Sequence, residues 1–263
     1  MITFHGKPEL KEQLLNNLRD HAKADAFTQG VYFEGGKGCA VGCSIVDFGG
    51  YVDDHSEYER LFGIPRVIAK LEDGIFEGLS IEDSKWWPIA FAESIPVGVN
   101  LDLVFYSFMS WLLADQSDGV IRFARDKGKR VITDVANAMD AVANGEPKES
   151  INWGELRRSA YAAYAADATD AASAAAYTAT YADADADADA AADAATYAYA
   201  ADATDAAAAA TYAATYAYAA DATDAAAYAA TYAYAADATD AAARKEARKK
   251  QALKLIEIMS QCG

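Results

Sequence analysis

The chain has 263 residues, a formal net charge of -17 and 53% hydrophobic residues. Acidity is shared by the two sides of an abrupt change in composition near residue 150: -9 for residues 1–150 (15 basic, 24 acidic) and -8 for the remainder (8 basic, 16 acidic). This balance disfavours direct binding to nucleic acid phosphates or to an anionic membrane surface, because either approach brings like charges together, and it favours a basic partner.

Residues 1–150 mix aromatic, aliphatic, glycine and charged residues as a domain with its own core does. Pro8 suits a first helical turn, and Leu10, Leu14, Leu15 and Leu18 recur at helical spacing, which predicts a helix from Pro8 to Asp25. Val31 to Phe33 and Cys39 to Ile45 are β-prone runs joined by a glycine-rich turn, so a small hairpin is expected there. Ser56 and Glu59 have the spacing of a capping box and predict a short helix. Apolar residues three or four apart predict further helices over Pro65 to Gly78, Ser84 to Ile95, Asp102 to Ala114 and Lys129 to Ala143. Gly119 to Ala124 is expected to add a strand. Trp86, Trp87, Phe91, Phe105, Phe108 and Trp111 are expected in the core, where aromatic burial contributes most.

Residues 151–263 form the second region, an alanine, tyrosine and aspartate repeat ending in a basic capping helix. Between Ser159 and Ala243 there is no glycine, proline, lysine or arginine. The block Tyr-Ala-Ala-Asp-Ala-Thr-Asp-Ala-Ala starts at Tyr164, Tyr199, Tyr218 and Tyr234, a self-similarity that signals repeated units. Alanine favours helix over strand. A straight helix through this stretch would reach roughly 130 Å at about 1.5 Å per residue, and would leave thirteen aspartates unpaired and twelve tyrosines in water. Folding back is preferred: the second aspartate of each block is a good N-cap, and small alanines let neighbouring helices approach. The expected fold class is therefore mainly α, an α+β N-terminal domain with a small hairpin followed by stacked helices. Asp240 is expected to cap the last helix, with Arg244, Lys245, Arg248, Lys249 and Lys250 on it. A nucleic acid contact there is disfavoured, because the basic run is short and lies beside the repeat's aspartates.

Three cysteines, two of them four residues apart, do not make a secreted disulfide framework. The start Met-Ile-Thr-Phe-His lacks the features of a signal peptide, and no run spans a bilayer, so a cytoplasmic setting is expected. The one local constellation with suitable chemistry is Gly36 to Ser44 followed by Asp53, Asp54 and His55. Cys39 or Cys43 could act as a nucleophile with Lys37 nearby, His55 as base and Asp53 or Asp54 orienting it. Cys39, Cys43, His55 and either His5 or His21 could instead hold zinc. The preferred and simpler reading makes both thiols small buried hydrophobes in the hairpin and His55 part of a polar loop. Glu72 with Asp73, and Glu82 with Asp83, read as solvated helix faces. There is no nucleotide loop, dinucleotide fingerprint, hydrolase elbow or metalloprotease helix, and no cofactor is expected.

The stretches Gly-Lys-Gly-Cys-Ala-Val-Gly-Cys-Ser at 36–44, Phe-Gly-Ile-Pro at 62–65, Leu71 to Leu79 and Ile-Pro-Val-Gly at 95–98 resemble a group of uncharacterised bacteriophage and prophage proteins, which tend also to carry alanine-rich tails. The resemblance covers roughly residues 1–125. It implies a viral origin and a host-cytoplasm setting, and carries over no catalytic residue.

The expected function is that of a non-enzymatic phage accessory or counter-defence protein, whose repeat presents an acidic, tyrosine-bearing surface to a host protein. The binding residues would be Tyr199, Asp202, Asp205, Tyr218, Asp221, Asp224, Tyr234 and Asp237. The alternatives are a cysteine-dependent enzyme and a structural protein that forms homo-oligomers by alanine-on-alanine packing.

Overall fold

The computed structural model describes residues 1–124, 126–156, 158–160 and 238–263. These are mainly helical, with one two-stranded antiparallel sheet among them. They divide into two compact units: Met1–Phe105 together with Arg244–Gly263, and a second unit that starts at Tyr106. The compositional break near residue 150 does not coincide with a boundary between them.

The first unit opens with α1 (Pro8–Lys23), which buries Leu14, Leu15 and Leu18 and packs on α5 (Ile81–Ser94). Lys11 of α1 reaches the end of α5 and donates to the carbonyls of Glu93 (2.8 Å) and Ile95 (2.6 Å), groups that a helix terminus leaves without partners. Strands β1 (Phe33–Glu34) and β2 (Lys37–Gly38) make the small hairpin, with Glu34 opposite Lys37. The second predicted strand is not there. Residues 40–46 form α2 (Ala40–Val46), and Cys39 is its N-cap, its sulfur accepting from the Gly42 amide at 3.4 Å. The β-branched residues of this run are overridden by tertiary burial: every residue from Ala40 to Ile45 is inside the protein.

Next come α3 (Glu57–Phe62) and α4 (Arg66–Gly78). The expected capping box does not form. Ser56 is itself helical and makes no side-chain cap, its amide donates to Asp54, and Glu59 accepts instead from the Arg66 amide (2.9 Å), tying α3 to α4. A working cap of that kind lies further on, where Ser80 accepts from the Asp83 amide (2.9 Å) and donates to the Asp83 carboxylate (2.8 Å) to start α5. Helix α4 is central to this unit, in contact with α2, α3 and α5, and buries Ile68, Leu71, Ile75 and Phe76. Trp87 of α5 is wholly buried and donates to the Glu72 carbonyl at 3.1 Å. Phe91 and Phe105 of this unit are also buried and Trp86 is half-buried; of the aromatic residues in the second unit, Phe108 is buried and Trp111 half-buried.

The C-terminal helix α8 (Ala238–Ser260) starts two residues ahead of Asp240, which therefore falls in its first turn and not at the cap. From Arg244 on it belongs to the first unit. It buries Arg248, Gln251, Ala252, Leu255 and Met259, a single stripe at helical spacing. Lys249 pairs with Asp83 at 2.9 Å, and Gly78 leaves room for the Arg248 side chain, which a Cβ there would meet at 2.5 Å. The basic cluster is thus partly spent on intramolecular contacts.

In the second unit, α6 (Val104–Ala114) continues from the first, and α7 (Asp126–Ala143) buries Ile132, Val135, Met139 and Val142 along one face. The strand expected over residues 119–124 is a 3-10 helix, Val120–Phe123. Asp115 sets up this stretch by accepting from the amides of Ser117 and Asp118, each at 2.8 Å, a local turn that competes with extended pairing. Trp153 is buried and donates to the Lys148 carbonyl at 2.9 Å.

Candidate functional site

The first unit contains a partly buried polar cluster built on α4. Asp73 and Glu77 are four residues apart on that helix and so share a face. Against them lies Cys39, and the Cys39 sulfur and one oxygen from each carboxylate lie within 4.8 Å of one another. His55, 2% exposed, places its Nε2 3.0 Å from Asp73 Oδ2. The Tyr32 ring stands edge-on to the imidazole at 5.8 Å. Glu77 is held in turn by the Gly30 amide, which donates to its Oε2 at 2.9 Å, while Gln29 latches the loop onto the end of α4 by donating to the carbonyls of Phe76 (2.7 Å) and Leu79 (3.0 Å).

The glycines of the 36–44 motif explain how Cys39 comes to this place. Tyr32 runs its backbone across the start of α2, and its carbonyl oxygen sits where a Cβ of Gly38 or Gly42 would be. That carbonyl accepts from the Cys39 amide at 3.1 Å. Only residues without side chains permit this approach, which fixes Cys39 at the helix start and leaves the Tyr32 ring beside His55.

Behind the cluster, Tyr58 donates to Glu72 at 2.6 Å. Glu72 is entirely buried, which corrects its reading as part of a solvated face, and its Oε1 has no hydrogen-bond partner. Burial pushes its carboxyl well above the usual range, outweighing the Tyr58 hydrogen bond. Asp73 Oδ1 is likewise buried, and no donor meets it in good geometry.

The two thiols do not make an activated nucleophile. Burial, then the Asp73 carboxylate, drives Cys39 well above the ordinary thiol range. Cys43 is pushed up to about 12, by burial and then by Asp47, and its sulfur faces the Gly38 carbonyl at 3.5 Å. A thiol needs the opposite surroundings to react at neutral pH. His55 Nε2 is bonded to Asp73, and the residues expected to orient it are occupied elsewhere or outside: Asp54 caps the Ser56 amide, and Asp53 is exposed. The zinc set proposed from the sequence does not assemble either. His21 pairs with Asp47 at 2.9 Å, and His5 lies 3.1 Å from the Arg60 carbonyl. The simpler reading holds for thiol burial, but the thiols sit at the start and middle of a helix rather than in the hairpin, and His55 is in the interior. Sequence reasoning passed over Glu77 and read Asp73 as part of a solvated face, whereas it is largely buried against His55. Their signal was the four-residue spacing of two acids on a helix otherwise rich in buried apolar residues.

The proposed binding residues Tyr199, Asp202, Asp205, Tyr218, Asp221, Asp224, Tyr234 and Asp237 lie outside the described residues. Among the described residues no helix is long and apolar enough to cross a membrane. No known family model, curated protein or solved structure matches the chain.

Glu77 gives this cluster a pH signature. Burial and then the neighbouring Asp73 carboxylate raise its carboxyl from 4.5 to about 8. A group that holds its proton more tightly when folded lends stability that is fully present below its unfolded pKa and is lost as pH rises through its folded one. Urea midpoints of the chelator-treated protein are therefore expected to fall between about pH 5 and 8. Glu77→Gln, whose amide oxygen can still accept from Gly30, should flatten that slope by about one proton and be the more stable protein at pH 8.

Proposed function

We propose that this chain is a non-enzymatic interaction protein whose folded first unit anchors an acidic, tyrosine-bearing repeat offered to a basic host protein. The observation that carries this reading is the burial of the α8 stripe in the first unit. Residues 153–156 and 158–160 on one side of the repeat are helical, and the chain on its other side enters the folded helix α8. The chemistry of the thiols supports it from the other side, since both are buried and protonated at neutral pH. Thirteen aspartates with no lysine or arginine between Ser159 and Ala243 would steer a cationic partner, and tyrosines supply contact area at low entropic cost. In this reading the repeat folds back into short stacked helices. The resemblance of residues 36–44, 62–65, 71–79 and 95–98 to bacteriophage and prophage proteins is the ground for proposing a partner in a bacterial host cytoplasm and an accessory or counter-defence role.

The test compares partners captured from bacterial lysate by the full chain, by a chain lacking residues 161–237, and by one carrying Asp→Asn at 202, 205, 221, 224 and 237. A basic host protein should be captured by the full chain, lost on deletion, and bound more weakly at low salt by the neutralised variant. An unchanged set of partners after the deletion overturns the proposal. A full chain whose mass in light scattering rises with concentration, with no host protein captured, would replace it by self-association.

A further inference from the structure

We propose that Cys39, Asp73 and Glu77 are the three protein ligands of a mononuclear site for a divalent transition metal of the zinc class, with His55 holding Asp73 in place. The donor set is mixed: one sulfur and two carboxylate oxygens, already within 4.8 Å of one another. Ligand atoms about 2.0–2.3 Å from a common zinc ion are separated by less than that, so the side chains need to close by small rotations only.

Three features converge on a cation. Asp73 Oδ1 is buried and no donor meets it in good geometry, the Cys39 thiol facing the same carboxylate; exchange of that thiol proton for a cation would satisfy both groups. The other oxygen is oriented by the buried His55, the relation in which a hydrogen-bonded neighbour fixes a ligating carboxylate. Glu77 is likewise aimed by the Gly30 amide, and Cys39 by its place at the head of α2. Each ligand is thus positioned by a contact of its own, as a metal site requires. The thiolate selects against magnesium and calcium, which take oxygen ligands, and for zinc, cobalt or ferrous iron. Three protein ligands leave the fourth tetrahedral position to water or to a ligand from outside.

The experiment titrates cobalt(II), then zinc(II), into the chelator-stripped full chain. The aspartates of the repeat can bind metal weakly, so the readout is the near-ultraviolet charge-transfer band that only a cobalt-bound thiolate gives, with stoichiometry from native mass spectrometry. One equivalent of cobalt should produce the band, and zinc should abolish it. Cys39→Ser, which keeps a side-chain acceptor for the Gly42 amide, should lose the band while keeping the wild-type far-ultraviolet spectrum. Cys43→Ser with Cys262→Ser should retain it. Asp73→Asn and Glu77→Gln should each weaken binding by at least about tenfold, and His55→Asn by about 10- to 100-fold. The absence of a band in the wild type, a band that survives Cys39→Ser, or unchanged affinity in both carboxylate variants overturns the proposal. Should Cys39→Ser fail to fold, the two near-isosteric carboxylate variants decide it.

Discussion

Removing residues 244–263 is expected to destabilise the first unit by about 3–5 kcal/mol, a large share of the roughly 5–15 kcal/mol that holds a typical domain together. Leu255 and Met259 are each fully buried, and complete burial of such side chains contributes about 1.5–3 kcal/mol apiece. Ala252 is buried beside them, and Arg248 lies in the space that Gly78 leaves open, with its guanidinium donating to Gln251 at 2.9 Å. Deletion uncovers the apolar surface that these residues pack on, and the saved entropy of ordering one helix offsets part of the loss. The salt bridge from Lys249 to Asp83 matters much less, because Lys249 is well exposed and water screens the pair. The measurement is urea denaturation followed by tryptophan fluorescence, since Trp87 reports on the interior of this unit. Lys249→Ala alone should shift the midpoint little. A truncated chain that unfolds at the wild-type midpoint would show that α8 only rests on the surface.

Gly42→Ala is expected to cost about 3 kcal/mol or more, an unusually large effect for the addition of one methyl group. In a helix this substitution ordinarily stabilises by up to about 1 kcal/mol, because alanine is the better helix former. Here the new Cβ would fall on the Tyr32 carbonyl oxygen, with the Tyr32 carbonyl carbon also in the way. Backbone atoms cannot rotate aside as a flexible side chain can. Either α2 moves or the 31–33 segment does, and each choice breaks the hydrogen bonds from the Cys39 amide to the carbonyls of Val31 and Tyr32. The change should therefore lower the melting temperature and also disturb the Cys39, Asp73 and Glu77 cluster. Gly36→Ala is a fair control in the same motif. Nothing lies within 4 Å of a Cβ there, and its positive φ of 82° makes the cost one of backbone strain alone.

The helices were legible because their apolar residues recur every three or four positions. Leu14, Leu15 and Leu18 in α1, and Ile68, Leu71, Ile75 and Phe76 in α4, are buried as that spacing requires. Residues 39–45 were misread because valine, isoleucine and cysteine suit a strand equally well, and nothing local says that a distant carbonyl will occupy the space beside Gly38 and Gly42. The Ser56 cap was misread because Asp54 took the serine amide, while the Arg66 amide took Glu59. The thiols and His55 were recognised as the residues with chemistry to offer, but not their partners. Asp73 is eighteen residues from His55 and thirty-four from Cys39, and only folding brings the three together.

Charge, helical content and the low-complexity repeat are properties of the chain itself: they follow from composition and from periodicities that hold whatever the packing. Which elements share a core was decided by tertiary structure. Apolar burial has no direction along the sequence, so α8 could add its stripe to a unit whose other residues ended at Phe105. The same holds for the polar cluster on α4. Whether an acid is solvated or driven to keep its proton depends on what surrounds it, and for Glu72 and Glu77 those surroundings come from α3, from Asp73 on the same helix and from the loop ahead of the hairpin.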